Sequence, residues 1–513
     1  MTVRQQTPWQ SPVEIGSRRE VFWDDFLVDS EATTATRRLH RPEWAGPALV
    51  HDAPWEGDGC GYGNILADDG VYRMYYLAWA MGRADPSTRP AFPEAKGIRV
   101  CYAESRDGIA WTKPSLGLRS FEGSTDNNII LDADSFGAKL DNFMVFKDGN
   151  PDCPPDARYK AVAKRKDDLW CLLSADGIRF RLGWRLVSRE ESGSTIHAFD
   201  SLNVAFWDPA RNRYSLYFRG FHKGGENRLD GPEVRDIRFA TSRDLRIWTK
   251  PEPLDFLGAE DYPLYTNAVA PYARAPQISV GFPSRYVQRR AWTPTYDRLP
   301  GAVNRRWRMD HGEPRYGLAV TDCVFMFTRD GLRFHREDEA FMVPGPERPD
   351  NWVYGDCYPA RGLVETPGRR GSDRELSFYA KDGHWSGNAA VLQRYCLRLD
   401  GFVSRHAAYA PQRLVTKPIV FAGDDLRLNF ATSARGYIRV TLRDEAGRSA
   451  TSHEIFGDSA DRVVDFAEGT AGDFAGRPAV LEFEMSDADL YALRFAPRAA
   501  PARSCRQEDR GGL

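Results

Sequence analysis

The sequence predicts an all-β protein: a five-bladed β-propeller followed by a C-terminal antiparallel β-sandwich. The first observation is a short phrase, an Asp usually followed by Gly and then a large apolar residue, which occurs five times, at Asp107, Asp176, Asp244, Asp330 and Asp400. Three of the four spacings between these aspartates are close to 70 residues, and near-constant spacing is typical of a repeat architecture. The second observation is that each copy ends a strand-like run, so five copies predict five β-sheets arranged as blades.

Each predicted blade opens with an inner strand. The candidates begin at Gly61, Asp141, Asp200, Thr266 and Asp356. A second, aromatic-rich strand follows each of them, and the Asp-Gly phrase ends the third strand. Because Asp and Gly together favour tight turns, we interpret the repeated aspartates as structural and not as catalytic.

The sequence pattern changes after the repeats. From Lys417 onward, short strands of alternating apolar and polar residues are typical of a small antiparallel β-sandwich. We therefore expect a polar leader over residues 1–18, the propeller over 19–411, the β-sandwich over 412–497 and a disordered tail over 498–513. The segment 292–310, rich in Arg and Pro, accounts for the one longer spacing and predicts an insertion between blades that forms a loop over the mouth of the propeller pocket.

Composition excludes several classes of function. A formal net charge of −2 gives no long-range attraction for nucleic acid or for an anionic membrane. The eight cysteines form no Cys-x-x-Cys pair and have no zinc-ligand spacing with histidine. The sequence has no secretion signal near its start and no apolar run long enough to cross a membrane, so a cytoplasmic location is expected. It predicts no particular oligomeric state.

Carboxylates recur at the positions where a propeller brings its blades together. Asp141, Asp200 and Asp356 begin three of the five inner strands, and Glu56 and Asp58 lie just before the first. The inner strands surround one channel, so we expect these groups to share a rim. Several carboxylates around a pocket are what glycoside hydrolysis needs, because crowding of like charges raises one pKa and allows an acid and a base to coexist. The predicted catalytic residues are Asp200 as acid, Glu56 or Asp58 as base or nucleophile, and Asp141 as a supporting carboxylate.

Other polar and aromatic residues near the same strand starts predict a sugar-binding pocket. They include amides, cations and indole rings that could contact a pyranose: Trp55, Asn142, His197, Arg219, Asn267, Arg285, His311, Trp352 and, as a further carboxylate, Asp356. The expected partner is a small-molecule carbohydrate. No cofactor is expected, although a structural Ca²⁺ could sit in the channel where carboxylate and amide oxygens converge.

Two other functions fit the same pocket. A non-catalytic carbohydrate-binding propeller would have the pocket but lack a correctly spaced acid pair. A glycan phosphorylase or lyase could use the same scaffold, and a phosphorylase would need a basic anion pocket, for which Arg219, Arg285 and Arg289 are candidates. The sequence contains no nucleophile elbow, zinc-protease motif, P-loop or dinucleotide fingerprint.

Five stretches of the chain resemble a known superfamily. They are 54–57 (Pro-Trp-Glu-Gly), 198–208, 266–269 (Thr-Asn-Ala-Val), 281–285 (Gly-Phe-Pro-Ser-Arg) and 399–402 (Leu-Asp-Gly-Phe). They are similar to bacterial proteins with a glycosyl hydrolase family 32 N-terminal-like domain, within the superfamily of glycoside hydrolase families 32 and 43. The resemblance covers roughly residues 20–497.

This resemblance implies a catalytic carboxylate from each of the first three blades. The blade-one group would be base or nucleophile, the blade-two Asp would support the transition state, and the blade-three group would be the acid. On this chain these are Glu56 or Asp58, then Asp141, then Asp200. The chain departs from the pattern twice: its first inner strand has no acid at its own start, and the blade-three residue is Asp where the superfamily has Glu.

Overall fold

A computed structural model describes residues 11–82, 94–224, 233–349, 351–369 and 374–498. It contains two compact units, one formed by residues 40–399 and the other by residues 1–39 together with 400–513. Of the predicted leader at 1–18, residues 1–10 lie outside the described residues, and of the predicted tail at 498–513, all but residue 498 do. Strands are the main regular secondary structure of both units, at 47% of residues against 6% in helices, which confirms the predicted all-β class.

The chain begins in the smaller unit and then crosses to the larger. Its first strands are β1 (Val13–Gly16), β2 (Glu20–Val21) and β3 (Thr36–Leu39). The strand β4 (Glu43–Val50) is the first of the larger unit.

Three consecutive four-stranded antiparallel sheets follow, each in simple sequence order. The first contains β5 (Gly61–Asp68), β6 (Val71–Ala80), β7 (Lys96–Ser105) and β8 (Ile129–Leu131), followed by the short helix α1 (Ala133–Phe136). The second contains β9 (Phe143–Lys147), β10 (Tyr159–Arg165), β11 (Asp168–Ser174) and β12 (Arg181–Val187), with a 3-10 turn at Pro155–Ala157. The third contains β13 (Val204–Asp208), β14 (Arg213–Lys223), β15 (Glu233–Ser242) and β16 (Glu252–Pro253).

The fourth sheet is interrupted by an insertion. Its strands are β17 (Ala270–Pro271), β18 (Ser279–Gly281), β21 (Met326–Thr328) and β22 (His335–Arg336). Between β18 and β21 the hairpin β19 (Ser284–Gln288) and β20 (Ala319–Cys323) carries three helices: α2 (Pro294–Arg298), α3 (Ala302–His311) and α4 (Arg315–Leu318). The predicted insertion at 292–310 is therefore helical where a loop was expected.

The fifth sheet closes the ring. It contains β23 (Tyr358–Pro359), β24 (Val364–Pro367), β25 (Arg374–Asp382) and β26 (Val391–Arg398), and β26 pairs on its outer side with β4. The strand nearest the start of the unit thus completes the sheet nearest its end. Five sheets in this arrangement confirm the predicted five-bladed propeller.

The blades pack against one another through apolar side chains. Between the fifth and first blades, for example, Tyr379 and Leu392 lie with Met74 and Cys101 in one cluster, none of them more than 4% exposed. Around the channel, inner-strand side chains also bond to neighbouring blades: Asn64 accepts a hydrogen bond from the backbone of Val145 at 2.6 Å. Buried polar groups of this kind are stabilising only because they are paired.

The repeated Asp-Gly phrase follows the third strand of every blade. In four copies the aspartate accepts hydrogen bonds from the backbone N–H groups two and three residues later, as Asp176 does from Ile178 and Arg179, both at 2.8 Å. Burial opposes ionisation of Asp176, but these bonds outweigh it and lower its pKa to about 2. The fifth copy, at Asp400, lies where the chain leaves for the smaller unit, because β4 already supplies the fourth strand of the last blade.

The glycine of the phrase lies against an aromatic residue of the preceding blade. The hydroxyl of Tyr217 donates to the Gly331 carbonyl at 2.7 Å, and that of Tyr379 donates to Gly108. Gly331 has φ +96°, and a Cβ there would lie 2.9 Å from the Phe239 ring. The phrase is therefore a contact between blades as well as a turn.

The smaller unit is one connected sheet of ten strands. Its remaining strands are β27 (Val403–Ala407), β28 (Gln412–Val415), β29 (Ile419–Phe421), β30 (Asp425–Asp444), β31 (Ser449–Thr451), β32 (Asp458–Val463) and β33 (Ala479–Ala496), with a 3-10 turn at Ala471–Phe474. The long strands β30 and β33 pair along most of their lengths, and each joins two strands that the sequence predicts as separate. Side chains such as Phe430, Leu481 and Phe483 form its buried core.

The boundaries between the units differ from those predicted. Residues 19–39 and 400–411, expected in the propeller, belong to the smaller unit, because β2 pairs with β33 and β3 pairs with β27. Phe22, Leu27 and Val28 contribute to the core of that unit. An apolar strand does not reveal from its sequence which of two cores it joins.

We predict that Gly331→Ala lowers the free energy of unfolding more than Gly70→Ala. Both glycines have positive φ, near +96° and +85°, so both variants carry the conformational cost of about 1 kcal/mol, but no atom lies within 4 Å of a Cβ at position 70. Crowding against Phe239 and Tyr217 should add roughly 1–3 kcal/mol for Gly331→Ala. Urea unfolding of the two variants measures the difference, and equal losses would show that the contact between blades is unimportant.

Candidate active site

One cavity of about 270 Å³ lies at the channel end where the inner strands begin. All five blades contribute to it. Its described lining residues are Gly59, Gly61, Tyr62, Leu77, Trp79, Met81, Ile98, Lys139, Asp141, Asp200, Tyr265, Arg315, Tyr316, Tyr354, Tyr358, Lys381, His384 and Trp385.

Asp141 and Asp200 are the carboxylates among these described residues. Asp141 lies two residues before β9 and Asp200 four residues before β13, so neighbouring blades deliver them to the same cavity. Their side chains are 29% and 42% exposed. Both therefore remain accessible to a molecule in the cavity.

The pKa values of the two carboxylates are shifted in opposite directions. Burial, together with the nearby charge of Asp200, raises the pKa of Asp141 above its ordinary value, against the opposing effect of Lys164, whose Nζ lies 3.5 Å from Asp141 Oδ2. Burial also acts to raise the pKa of Asp200, but interaction with His197 (Nε2 to Oδ2, 3.5 Å) and the charge of Arg219 outweigh it and lower the pKa to about 2. Neighbouring carboxylates with pKa values pushed apart are the arrangement that acid–base catalysis uses.

Blade one contributes a phenol to this group. Burial raises the pKa of Tyr62 well above its ordinary value, and the nearby Tyr265, Tyr354, Asp200 and Asp141 add to the effect. Tyr62 therefore stays protonated and can donate a hydrogen bond into the cavity. Among the described lining residues, blade one contributes this hydroxyl and no carboxylate.

Aromatic rings form most of the remaining wall. Tyr265 and Tyr358 stack at 5.3 Å, and the Tyr354 hydroxyl donates to that of Tyr265 at 2.8 Å. Trp79 and Trp385 meet edge to face at 6.0 Å. Such rings present flat apolar faces together with hydroxyl and N–H groups, which suit a ligand that is itself both apolar and polar.

A buried lysine lies on the wall formed by blade five. Lys381 Nζ donates to the Gly59 carbonyl at 3.0 Å and contacts His384 Nδ1. Burial lowers the pKa of Lys381 to about 7 and that of His384 well below its ordinary value. Burial therefore favours the neutral forms of both side chains, and a nearby negative charge would favour the charged form of the lysine.

The glycine-rich segment 57–63 makes room for this wall. A Cβ at Gly59 would lie 2.5 Å from the Trp79 ring, and one at Gly61 would lie 3.1 Å from Lys381 Cδ. The glycines are needed because side chains of the cavity wall pass directly over the backbone.

The insertion in blade four supplies two lining residues, Arg315 and Tyr316 of α4. Residues 292–310, which the sequence predicts over the pocket mouth, are not among the described lining residues of this cavity. They do include Arg308, whose Nη2 donates to Asp58 Oδ2 at 3.1 Å. The insertion is thus anchored to blade one, and its last helix faces the cavity.

Glu56 and Asp58, the predicted base or nucleophile, lie outside the cavity lining. Glu56 is fully buried and accepts hydrogen bonds from Tyr76 Oη at 2.5 Å and Lys113 Nζ at 2.6 Å. Asp58 is also fully buried and accepts from Arg308 and from two backbone N–H groups. Both carboxylates are buried, paired with buried or part-buried groups and outside the described cavity lining, which favours a structural role for them over the predicted role of base or nucleophile.

Two of the predicted sugar-binding amides are structural as well. Asn142 donates to the Phe199 carbonyl at 2.8 Å, and Asn267 donates to the Leu202 carbonyl at 2.9 Å. Both side chains are buried to 1% exposure or less. They connect neighbouring inner strands around the channel and do not line the cavity.

The predicted cations also have protein partners. Arg219 is buried between the rings of Phe221 and Tyr265, at 4.6 Å from each centroid, and influences the site only through its charge. Arg285 forms an ion pair with Asp322 on the β19–β20 hairpin. Arg219 and Arg285 are both engaged by protein groups and are not among the described lining residues, so they do not supply the anion pocket considered for a phosphorylase.

The other predicted binding residues lie around the cavity but not in its described lining. Trp55 donates to Asn128, Trp352 donates to the Gly345 carbonyl at 2.9 Å, and His311 stacks on Trp307. Asp356 is 1% exposed, and burial raises its pKa to about 8. His197 reaches the site through its contact with Asp200.

Sequence reasoning missed the aromatic and basic parts of the wall. Tyr62 and Tyr358 lie in predicted inner strands, but an aromatic residue in a strand is ordinarily interpreted as packing. The sequence pattern could not indicate that Arg315 and Lys381 line the cavity, because only long-range packing brings them together. The run of glycines at 57–63 was the available clue, since it indicates close approach of side chains to the backbone.

Within the described residues, no group of three or more His, Cys, Asp or Glu side chains is placed to hold a metal ion. The described residues therefore offer no such cluster for the structural Ca²⁺ that the sequence analysis considered. In the same part of the chain, no helix is both long and apolar enough to span a membrane.

No protein-family model matches this chain, and no curated protein matches it. Similar solved structures include a glycoside hydrolase family 43 arabinoxylan arabinofuranohydrolase from Bacillus subtilis in complex with cellotetraose, at 12% identity and TM-score 0.39 over 87% of this chain and 98% of that chain. A Bombyx mori GH32 β-fructofuranosidase is similar at 11% identity and TM-score 0.39, over 90% of this chain and 95% of that chain. An N-acetylgalactosamine deacetylase from F. plautii in complex with blood group B trisaccharide is similar at 11% identity and TM-score 0.42, over 70% and 94%. Families 32 and 43 are the two that the sequence resembles.

We predict that Glu56→Gln destabilises the fold while Asp52→Asn, which removes the other carboxylate of Lys113, has little effect. Asp52 is 71% exposed, whereas Glu56 is fully buried with its pKa lowered from 4.5 to about 2 by His51 and Lys113 in spite of its burial. The lowered pKa corresponds to roughly 3 kcal/mol of folding stability. This contribution is present above pH 4.5 and is lost as the pH falls to about 2.

Urea unfolding at neutral and acidic pH tests this prediction. The difference between wild type and Glu56→Gln should be largest at neutral pH and should disappear toward pH 2. An equal effect of Asp52→Asn, or a difference that persists unchanged at low pH, would contradict it.

Proposed function

We propose that this protein is a glycosidase that hydrolyses a glycosidic bond in the propeller cavity. The observation that carries the proposal is the pair Asp141 and Asp200, delivered by neighbouring blades to one cavity with pKa values shifted in opposite directions. Glycoside hydrolysis requires one carboxyl group that is protonated and one that is ionised.

We assign Asp141 as the general acid. Its raised pKa keeps a proton available, which it donates to the oxygen of the leaving group as the bond from that oxygen to the anomeric carbon breaks. This assignment reverses the roles expected from the sequence, where Asp200 was the acid and Asp141 the supporting carboxylate. The reason is electrostatic: His197 and Arg219 favour the charged form of Asp200, and that charge in turn favours the protonated form of Asp141.

Asp200 is the ionised partner. In an inverting reaction it removes a proton from the attacking water, and in a retaining reaction it attacks the anomeric carbon directly to form a glycosyl-enzyme that water then hydrolyses. The configuration of the first product distinguishes the two routes, and nuclear magnetic resonance during turnover reads it.

The aromatic wall supports sugar as the ligand. Trp79, Trp385 and Tyr316 offer ring faces and edges for the C–H groups of a sugar, while Tyr62 offers a hydroxyl donor beside both carboxylates. A volume of about 270 Å³ accommodates one sugar residue more readily than several, so the cavity suits the residue on one side of the cleaved bond.

A second candidate is a non-catalytic sugar-binding propeller. It is favoured by the residue at the blade-one position, which is Tyr62 and not a third carboxylate. Sugar binding without turnover by the wild-type protein, across a panel of chromogenic glycosides that includes uronides, would select this candidate over the hydrolase.

We predict that Asp141→Asn and Asp200→Asn lose activity in different ways. Loss of a general acid costs about 10²–10⁴-fold for a leaving group that needs protonation and much less for a dinitrophenyl group, which does not. Asp200→Asn should be inactive toward both kinds of substrate. Asp134→Asn, an exposed carboxylate on α1, serves as the control and should retain full activity.

Turnover of matched aryl and alkyl glycosides, with the melting temperature of each variant, tests these roles. Wild-type-like turnover by either variant would remove that residue from the mechanism. Loss of the same size on both leaving groups for Asp141→Asn would contradict its role as the acid.

We predict that kcat/KM decreases as the pH rises through the raised pKa of Asp141, because the general acid must be protonated. On the acidic side activity should persist until Asp200 begins to protonate near pH 2 or the fold is lost. The pH profile of wild type should lose its alkaline limb in Asp141→Asn measured on a dinitrophenyl glycoside. An unchanged limb in that variant would assign it to another group.

A further inference from the structure

The charged groups of the cavity are divided between its walls. Asp141 and Asp200 come from blades two and three, whereas Arg315 comes from the blade-four insertion and Lys381 from blade five. Lys139, exposed beside Asp141, adds a third cation at the margin. When Asp141 holds the proton that the proposed reaction requires, cations outnumber anions among the described lining residues.

Arg315 is oriented by its surroundings. Its Nε donates to Glu313 at 2.8 Å, and its guanidinium lies over the rings of Tyr316 and Tyr354, at 4.9 and 5.7 Å from their centroids. Nη2 reaches the Tyr316 hydroxyl at 3.4 Å, and no described residue accepts a hydrogen bond from Nη1. With its side chain 27% exposed, the outer edge of the guanidinium is available in the cavity.

Each of these groups suits a negatively charged ligand. An arginine edge held by aromatic stacking is arranged for a planar carboxylate, which accepts two parallel N–H bonds. Lys381 would gain charge beside an anion, because a nearby negative charge favours its protonated form. A neutral sugar would leave Arg315 without a charged partner in the cavity.

We propose that the sugar bound in this cavity carries a carboxylate, as a uronic acid does, and that Arg315 binds that carboxylate with support from Lys139 and Lys381. The inference deepens the proposed function by naming its substrate class and rests on the same site. Binding of the acidic sugar does not itself require turnover. The carboxylate lies toward Arg315 and Lys381 on blades four and five, where Lys139 acts on it only through its charge from the margin beside Asp141, and the anomeric carbon lies toward Asp141 and Asp200.

Binding measurements with matched sugars test the inference on the full-length protein. Isothermal titration calorimetry at neutral pH compares D-glucuronate with D-glucose and with the methyl ester of glucuronate, and D-galacturonate with D-galactose and its ester. The acid should bind about 10- to 100-fold more tightly than its neutral counterparts in at least one series, as charge-assisted hydrogen bonds predict. Equal affinities for acid and ester, or no detectable binding of either form, would overturn the inference.

Variants locate the binding group. Arg315→Gln should remove the preference for the acid and leave the affinity for the ester unchanged, whereas Arg298→Gln, an exposed arginine of the same insertion, should change neither. Lys139→Gln, which leaves α4 unchanged, should reduce the preference for the acid by a smaller factor. This variant keeps the inference testable even if Arg315→Gln does not fold. If Arg315→Gln folds and keeps the full preference, the assignment is wrong.

Two further outcomes separate this inference from its alternatives. Tighter binding of glucose 6-phosphate than of glucuronate would overturn the carboxylate assignment in favour of a phosphate ester. Tight uronate binding with no release of reducing sugar from any uronide would support the substrate class while removing the proposed hydrolase function.

Discussion

Pairing of β4 with β26 is the constraint on which the propeller depends. Without β4 the last blade would expose the edge of β26, and the first and fifth blades would keep only a few backbone hydrogen bonds, such as those of Arg361 with Gly63 and Ile65, together with side-chain packing. Closure also fixes the separation of the inner strands around the channel. Because Asp141 and Asp200 are attached to the starts of two of these strands, the electrostatic coupling between them is a consequence of the ring and not of any local sequence.

Inside the ring, burial has different effects on similar groups. It raises the pKa of Asp141, but Asp200 stays ionised because His197 and the buried Arg219 favour its charged form. It lowers the pKa of Lys381 to about 7, and no carboxylate among the described residues contacts the amine directly to oppose the effect. Proximity of specific partners, more than depth of burial, therefore decides which groups in the cavity are charged at neutral pH.

The sequence predicted the architecture well because the repeat is periodic. The Asp-Gly phrase follows the third strand of each blade, and the inner-strand starts at Asp141 and Asp200 lie where the repeat places them. It predicted the unit boundaries less well, because residues 19–39 pair with strands more than 350 residues away. Glu56 and Asp58 were expected at the cavity but lie outside its described lining, since a carboxylate near a strand start can turn inward to a buried cation as readily as toward the channel.

Backbone conformation was a further feature that composition could not reveal. Tyr62, Phe199, Ala268 and Cys357 all adopt positive φ at or beside inner-strand starts, where glycine or asparagine would ordinarily be expected. Tyr62 and Asp200, the neighbour of Phe199, line the cavity. Such strained positions accompany functional sites because the surrounding fold holds the backbone in place.

The blade-four insertion has a consequence for how this scaffold can diversify. It enters and leaves through the adjacent strands β19 and β20, so its length and helices can change without altering the register of the blade. It contributes Arg315 and Tyr316 to the cavity but neither of the two carboxylates. Under the proposed function, selection or engineering could therefore exchange one peptide segment to change which ligands the cavity accepts, while the two carboxylates of the opposite wall stay in place.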